Sequence, residues 1–256
     1  MTFHDLHHGD LPLLLPNAWD VGSALAFVDA GFQAVGTTSF GVASAGGSPD
    51  GGRASKDATA ELARRLRGLP AYVSADVEDG YHDDSEQVAE FVAGLGVAGV
   101  NIEDSSGERL IDPAAHAAKV AAIKRRVPGL FVNARVDTYW LGQDATVEET
   151  LRRADAYVAA GADGVFVPGA TKPADLRAIT SRLAVPVNVL VVPGSSLGEL
   201  GELGIRRVST GSLPYRAAID AAVAVAAAVR DGTPVPAATP YPRMQERLVR
   251  FTRRGA

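Results

Sequence analysis

The chain has 256 residues, no cysteine, and 30 acidic against 25 basic side chains, for a formal charge of −5. That balance supplies no basic stripe for a phosphate backbone and no polybasic surface for anionic lipid, so neither nucleic acid nor a membrane is expected as partner. Without thiols there is no disulfide framework, thiolate metal ligand or cysteine nucleophile, and the length matches the roughly 250 residues of a single (β/α)8 barrel.

The first ten residues carry His4, His7 and His8 but no basic segment leading into an apolar run, and they read as the mobile terminus of a cytoplasmic protein. Leu11–Pro16 is a first apolar strand. Asn17 and Asp20 form a turn and helix start, and a helical pattern over Ala18–Ala30 stops at Gly31. Further strands are predicted at Gln33–Thr38, Ala71–Val77, Gly99–Glu103, Phe131–Val136, Gly164–Val167, Val187–Val192 and Arg207–Thr210. Between and after them, helical patterns cover Lys56–Leu66, Ser85–Leu95, Pro113–Arg126, Val147–Ala160, Pro173–Arg182, Leu197–Leu203 and Pro214–Arg230. Near-continuous apolar strands, each followed by a helix, require a buried parallel sheet. Eight such units predict a (β/α)8 TIM-type barrel over an open doubly wound sheet, because no Gly-x-Gly-x-x-Gly follows the first strand. Gly36–Arg53, with six glycines, is too long for an ordinary βα connection and is expected to form part of the pocket. Residues 1–230 thus form the barrel domain. Residues 231–256 form a linker with four prolines and a last amphipathic stretch, Arg243–Arg254, that is part of the same domain or packs on a neighbouring subunit.

Charged residues end several strands. Asp76, Glu78, Glu103 and Arg135 come from three successive strands whose C-terminal ends would share one rim. Three converging carboxylates require a cation, and oxygen ligands without His or Cys favour Mg²⁺, with Mn²⁺ the alternative, over Zn²⁺. Asp76 and Glu78 fall on one face if the strand continues that far, whereas alternation turns Asp79 and Asp104 away. His82 follows Tyr81 on the rim and is a candidate for proton transfer. Asn188, inside the seventh strand, either turns its amide to the pocket or is a satisfied core amide. Trp19 reads as packing.

Six motifs in chain order resemble the isocitrate lyase and phosphoenolpyruvate mutase superfamily: Pro16-Asn-Ala-Trp-Asp20, Gly36-Thr-Thr-Ser-Phe-Gly with Pro49-Asp50-Gly51, Asp76-x-Glu78-Asp-Gly-Tyr81, Ile102-Glu103-Asp104, Asn133-Ala-Arg135 and Gly161-Ala-Asp163. The resemblance implies a (β/α)8 barrel with its last helix exchanged between subunits of a homo-oligomer, a dimer or tetramer. It implies that Asp76 holds Mg²⁺ most directly, that Asp50, Glu78 and Glu103 hold its waters, and that the Ser39 and Phe40 backbone N–H groups grip a substrate carboxylate. Arg135 would contact a 2-oxo acid and stabilise its enolate.

Two departures matter. The cysteine loop of isocitrate and methylisocitrate lyases is replaced by Ser105–Asp112, which offers Arg109 as its one cation, and Gly36 stands where lyases and mutases tend to have an aromatic residue. The expected activity is a Mg²⁺-dependent lyase of a small 2-oxo or 2-hydroxy carboxylate, isocitrate-, methylisocitrate- or oxaloacetate-like, working through an enolate. The alternatives are a phosphoenolpyruvate or phosphonopyruvate mutase or hydrolase, and a non-catalytic 2-oxo acid binding protein.

Overall fold

The computed structural model describes residues 1–254. In chain order the elements are β1 (Leu13–Leu15), β2 (Asn17–Ala18), α1 (Val21–Asp29), β3 (Ala34–Thr37), α2 (Ser39–Ala45), α3 (Lys56–Leu66), β4 (Tyr72–Asp76), α4 (Ser85–Leu95), β5 (Gly99–Glu103) and a hairpin of β6 (Ser105–Ser106) and β7 (Arg109–Leu110). There follow α5 (Pro113–Arg126), β8 (Phe131–Arg135), α6 (Thr138–Leu141), α7 (Val147–Ala159), β9 (Gly164–Phe166), α8 (Pro173–Thr180), β10 (Val187–Leu190), α9 (Leu197–Glu202), β11 (Ile205–Ser209), α10 (Leu213–Asp231) and α11 (Tyr241–Arg254).

The parallel sheet runs β1-β11-β10-β9-β8-β5-β4-β3-β2. Its two end strands are halves of one segment parted by Pro16: β1 pairs with β11 and β2 with β3, so the ring closes as an eight-stranded barrel. Pro16 has no N–H to give, but its carbonyl accepts from Gly36 N–H (2.8 Å) and keeps the ladder continuous.

The strands alternate by residue. Ala75, Val100, Ile102, Val132 and Ala134 point out into the main apolar core, which the surrounding helices cover. Ser74 and Asp76, Asn101 and Glu103, and Asn133 and Arg135 take the opposite face, where Asp76 is level with Asn101 and Glu103 with Arg135. The barrel interior is therefore polar towards its C-terminal end and apolar at its base. There Phe3, Leu15, Ala34 and Phe131 cluster.

Several expectations are corrected. The N-terminal segment forms a short 3₁₀ turn, Asp5–His8, whose His7 is 1% exposed and stacks on Phe131 at 4.1 Å. Aromatic packing fixes what polarity alone had suggested was mobile. The first helix begins at Val21 because Asp20 caps it with a reciprocal Ser23 bond. Gly36–Arg53 contains α2 rather than loop alone, since Thr38 supplies a capping oxygen to Gly41 N–H. Trp19 packs as expected, edge-on against Tyr215. Helix α11, expected either in the same domain or on a neighbouring subunit, meets its own chain here, with Arg247 Nε 2.6 Å from Asp29 and Phe251 on the cluster around Leu25 and Leu66.

Candidate active site at the barrel rim

Two adjoining cavities open at the C-terminal ends of the strands. The deeper one, about 100 Å³, is lined by Ser39, Asp76 and Arg135 at the rim and by Ser74, Asn101 and Arg207 below. The outer one, about 590 Å³, is lined by Glu78, Glu103, Arg53 and the Ser105–Glu108 hairpin. Phe40, Asp50, Arg135 and Trp140 line both and join them.

Asp76 ends β4. Its N–H donates to Thr37 Oγ1 (2.8 Å), and its carboxylate accepts from Ser39 N–H (3.0 Å) and the Asn101 amide (3.3 Å). The Ser39 N–H expected to meet a substrate carboxylate thus meets Asp76 here, at the opening turn of α2, where backbone donors have no helical partner. Phe40 lines both cavities.

Arg135 ends β8 and is held as a fork. Its Nη1 bonds Glu103 and its Nε bonds Asp137 (2.5 Å), while Trp140 and Phe166 lie 5.5 and 5.8 Å from the guanidinium carbon. Burial opposes its charge, but Glu103, Asp137 and Asp76 outweigh that and push its pKa above the usual guanidinium value. Burial pushes Glu103 well above the ordinary carboxylate range; Arg135 opposes this, and Asp137, Asp76 and Asp50 reinforce it. Asp50, on the glycine-rich loop, is raised by partial desolvation at the cavity mouth and then by Asp76.

Glu78 departs from expectation. Strand β4 stops at Asp76, and Glu78 takes φ 47°, so the two carboxylates do not share a strand face. Glu78 is 5% exposed and accepts from Arg53 N–H (2.9 Å) and Ser55 Oγ (2.5 Å). Burial raises its pKa, against those two hydrogen bonds. Nor does His82, expected at the rim, line either cavity: its Nδ1 accepts the Asp84 N–H (3.0 Å) ahead of α4, which gives it a turn-closing place. Asn188, 1% exposed, lies behind the lining with its amide nitrogen 3.1 Å from Ser209 Oγ, so it props a lining residue instead of meeting a ligand.

Asp104 points away, as alternation predicts, whereas Asp79, past the end of β4, lines the outer cavity against that expectation. Asp79 binds Arg53 through both carboxylate oxygens, and the fully buried Asp104 binds Arg153 (3.1 Å) and Tyr157 (2.7 Å). Sequence reasoning missed Asp137, which is fully buried and joins Arg135 to Ser105 Oγ (2.5 Å). It also missed Ser74, Asn101 and Arg207. For the first two the signal was present, since each stands two residues before a recognised acid on the same strand.

Around Arg135 lie four carboxylates, those of Asp50, Asp76, Glu103 and Asp137, and Glu78 lines the outer cavity beside them, while Arg53 is taken up by Asp79 and Asp83. Among the described residues no three acidic or histidine side chains form a direct metal cage. An all-oxygen set with surplus negative charge fits a hydrated Mg²⁺ that takes few ligands directly from protein.

The family model described as phosphoenolpyruvate phosphomutase matches residues 3–230. The chain is 57% identical over 254 residues to an uncharacterised protein of Mycobacterium tuberculosis, covering 99% of this chain and 98% of that one. It is 31% identical to an oxaloacetate decarboxylase of Rhodopseudomonas palustris, over 73% of this chain and 69% of the other. Among solved structures, a putative phosphonomutase from Burkholderia cenocepacia superposes with TM-score 0.83 at 38% identity, covering 88% of this chain and 97% of the other. A 2,3-dimethylmalate lyase of the same superfamily gives 0.81 at 26% identity, covering 95% and 91%.

Proposed function

The chain belongs to the phosphoenolpyruvate phosphomutase family, within the isocitrate lyase and phosphoenolpyruvate mutase superfamily, and on that premise we propose that it is a Mg²⁺-dependent carbon–carbon lyase of a small 2-oxo or 2-hydroxy carboxylate. The supporting observation is the meeting of Asp76, Glu103 and Arg135, from three strands, at one mouth beside a cavity of about 100 Å³. That volume is well below the roughly 300–1,000 Å³ of drug-sized sites, and it suits an acid of a few heavy atoms.

Asp76 would hold the ion directly and Asp50, Glu78 and Glu103 through water; the ion when bound would polarise the carbonyl of a chelated 2-oxo acid. Arg135, with Nε and Nη1 engaged, keeps its Nη2 donors for the ligand and stabilises negative charge that grows on the 2-oxo oxygen as the adjacent bond breaks. Asp137 and Glu103 fix the guanidinium plane beforehand, so little reorganisation accompanies that charge. Trp140 and Phe166 cover the guanidinium and keep the local dielectric low.

The second reading, transfer or hydrolysis of a phosphoryl group on a phosphonopyruvate-like acid, draws on the putative phosphonomutase at 38% identity. It needs a cation over the migrating group. Arg109, the hairpin's own cation, is exposed and lines neither cavity. A panel of 2-oxo and 2-hydroxy acids assayed with Mg²⁺ for pyruvate, glyoxylate, carbon dioxide and phosphate separates the readings. Release of a keto acid or carbon dioxide without phosphate supports the lyase; phosphate release, or isomerisation of phosphonopyruvate to phosphoenolpyruvate, overturns it; ligand binding with no turnover leaves a non-catalytic binding protein.

The protein is further proposed to work as a homo-oligomer. Helix α10 leaves Ile219, Val223 and Val229 from 48% to 66% exposed, apolar surface that a second copy of the chain would cover.

A further inference from the structure

Behind the rim, lining neither cavity, a buried carboxylate meets two donors from helix α7. Asp104, directly after β5, and Tyr157 on α7 have no exposed surface, and Arg153, one turn before Tyr157, is 6% exposed. Glu149, Arg153 and Tyr157 stand four residues apart and so share one face of the helix. Glu149 Oε1 accepts from Arg153 Nε (2.9 Å) and steadies the guanidinium. Arg153 Nη1 (3.1 Å) and the Tyr157 hydroxyl (2.7 Å) then both donate to Asp104 Oδ2.

Two loops of the rim are tied at Asp104. Its Oδ1 accepts the Asp137 N–H (2.8 Å) and its own N–H donates to the Arg135 carbonyl (3.2 Å), which fixes the turn between β8 and α6. Its carbonyl accepts the Ile111 N–H (3.0 Å), and Arg153 Nη1 donates to the Ile111 carbonyl (3.0 Å), which closes the base of the β6–β7 hairpin. From that hairpin Ser105 Oγ donates to Asp137 Oδ2 (2.5 Å), on the same carboxylate that accepts from Arg135 Nε. Both loops border the outer cavity, one through Ser105–Glu108 and the other through Trp140 and Leu141.

Stability alone does not account for this cluster. A buried ion pair is often replaceable by apolar side chains without loss, whereas a fully bonded one can restrict its surroundings to one arrangement. Here that restriction has a target, because the bonds of Asp104 end on Asp137 and on Arg135 itself.

We propose that Arg153 and Tyr157 are positioning residues that act from α7, through Asp104, on Arg135 and on the hairpin beside it. The consequence for ligands rests on the proposed function; the consequence for the two loops does not.

Three variants test the assignment. Tyr157→Phe removes one donor and keeps the ring that packs against His116 (4.4 Å); Arg153→Met removes the charge, and Arg153→Lys keeps it. Amide hydrogen exchange of the ligand-free protein, followed by mass spectrometry, should be faster in residues 104–111 and 135–141 of Tyr157→Phe, while α1 and β3 keep wild-type rates. Calorimetry gives the second readout. Oxalate at saturating Mg²⁺ should bind Tyr157→Phe severalfold and Arg153→Met about tenfold more weakly than the wild type, the scale of losing a partner that orients a binding group, while the affinity for Mg²⁺ alone stays within about threefold because Asp76 is untouched. Arg153→Lys should recover most of the loss. Should Arg153→Met not fold, Tyr157→Phe carries the test. Unchanged oxalate affinity, equal losses of oxalate and Mg²⁺, or exchange that is unchanged in the two segments or faster throughout the barrel overturns the proposal. If the wild-type protein binds no oxalate, the reading of the rim as a Mg²⁺ and 2-oxo acid site fails, and the exchange pattern by itself decides whether α7 holds the two loops.

Discussion

At the residue scale, the candidate site is governed by what holds Arg135. Two carboxylates on different elements, Glu103 and Asp137, fix its fork, and Asp137 is itself placed by Asp104, which accepts its N–H at 2.8 Å. Asp137 touches no cavity and is therefore a positioning residue. Asp137→Asn is expected to lower kcat about 100-fold by letting the guanidinium swing, while Mg²⁺ affinity stays within about threefold because Asp76 is untouched. Steady-state kinetics beside calorimetry check the split, and an equal loss of both would show that Asp137 serves the ion instead. The rim acids were legible in sequence because polar residues ending apolar strands stand out. Asp137 was not, because one residue past Val136 it has left the strand and only the turn into α6 decides where it points.

At the scale of elements, the first strand shows how one residue shapes the rim. Gly36 faces inward, and a Cβ there would stand 2.6 Å from Asn17 Nδ2 and 3.1 Å from Leu15 Cδ2. Asn17 fills the space that a side chain at position 36 would take, and it bonds Thr37 O (2.6 Å) and Gly211 N–H (2.9 Å), tying both ends of the sheet together. Gly36→Ala should therefore cost about 1–3 kcal/mol in chemical denaturation; no loss would mean that Asn17 can move aside. Helix α10 offers a second test at this scale. If its apolar face is covered by another copy, Val223→Glu should shift sedimentation to a smaller species without unfolding the barrel, and an unchanged sedimentation coefficient removes the proposed interface. Residues 243–254 were expected to pack in the same domain or on a neighbour. In the single chain they meet Asp29 and the Leu25 cluster, so deleting 243–256 alongside Val223→Glu separates the two segments.

For the molecule as a whole, the surplus of buried acid at the rim couples stability to pH and to the ion. Glu103, Glu78 and Asp50 have pKa values raised above those of the unfolded chain, chiefly by burial. Between the unfolded and folded values the native state binds more protons, so without metal these groups withdraw stability as pH rises from the ordinary carboxylate range towards neutrality. Mg²⁺ needs the same groups deprotonated. The rise in melting temperature on adding Mg²⁺ should thus be larger at about pH 7.5 than at about pH 5, and Asp76→Ala should abolish it. A rise independent of pH, or one that survives Asp76→Ala, would place the ion elsewhere. Sequence by itself determined the eight alternating units, the closed barrel, the family, and Asp76, Glu103 and Arg135 as residues of one rim, because strand and helix periods and strand-end charges are local properties of the chain. Tertiary structure alone decided that Glu78 turns to Ser55, that His82 closes a turn, that the N-terminus is packed, and that Arg207 is buried. Those outcomes depend on which neighbours reach each polar group first once residues far apart in the chain share one interior.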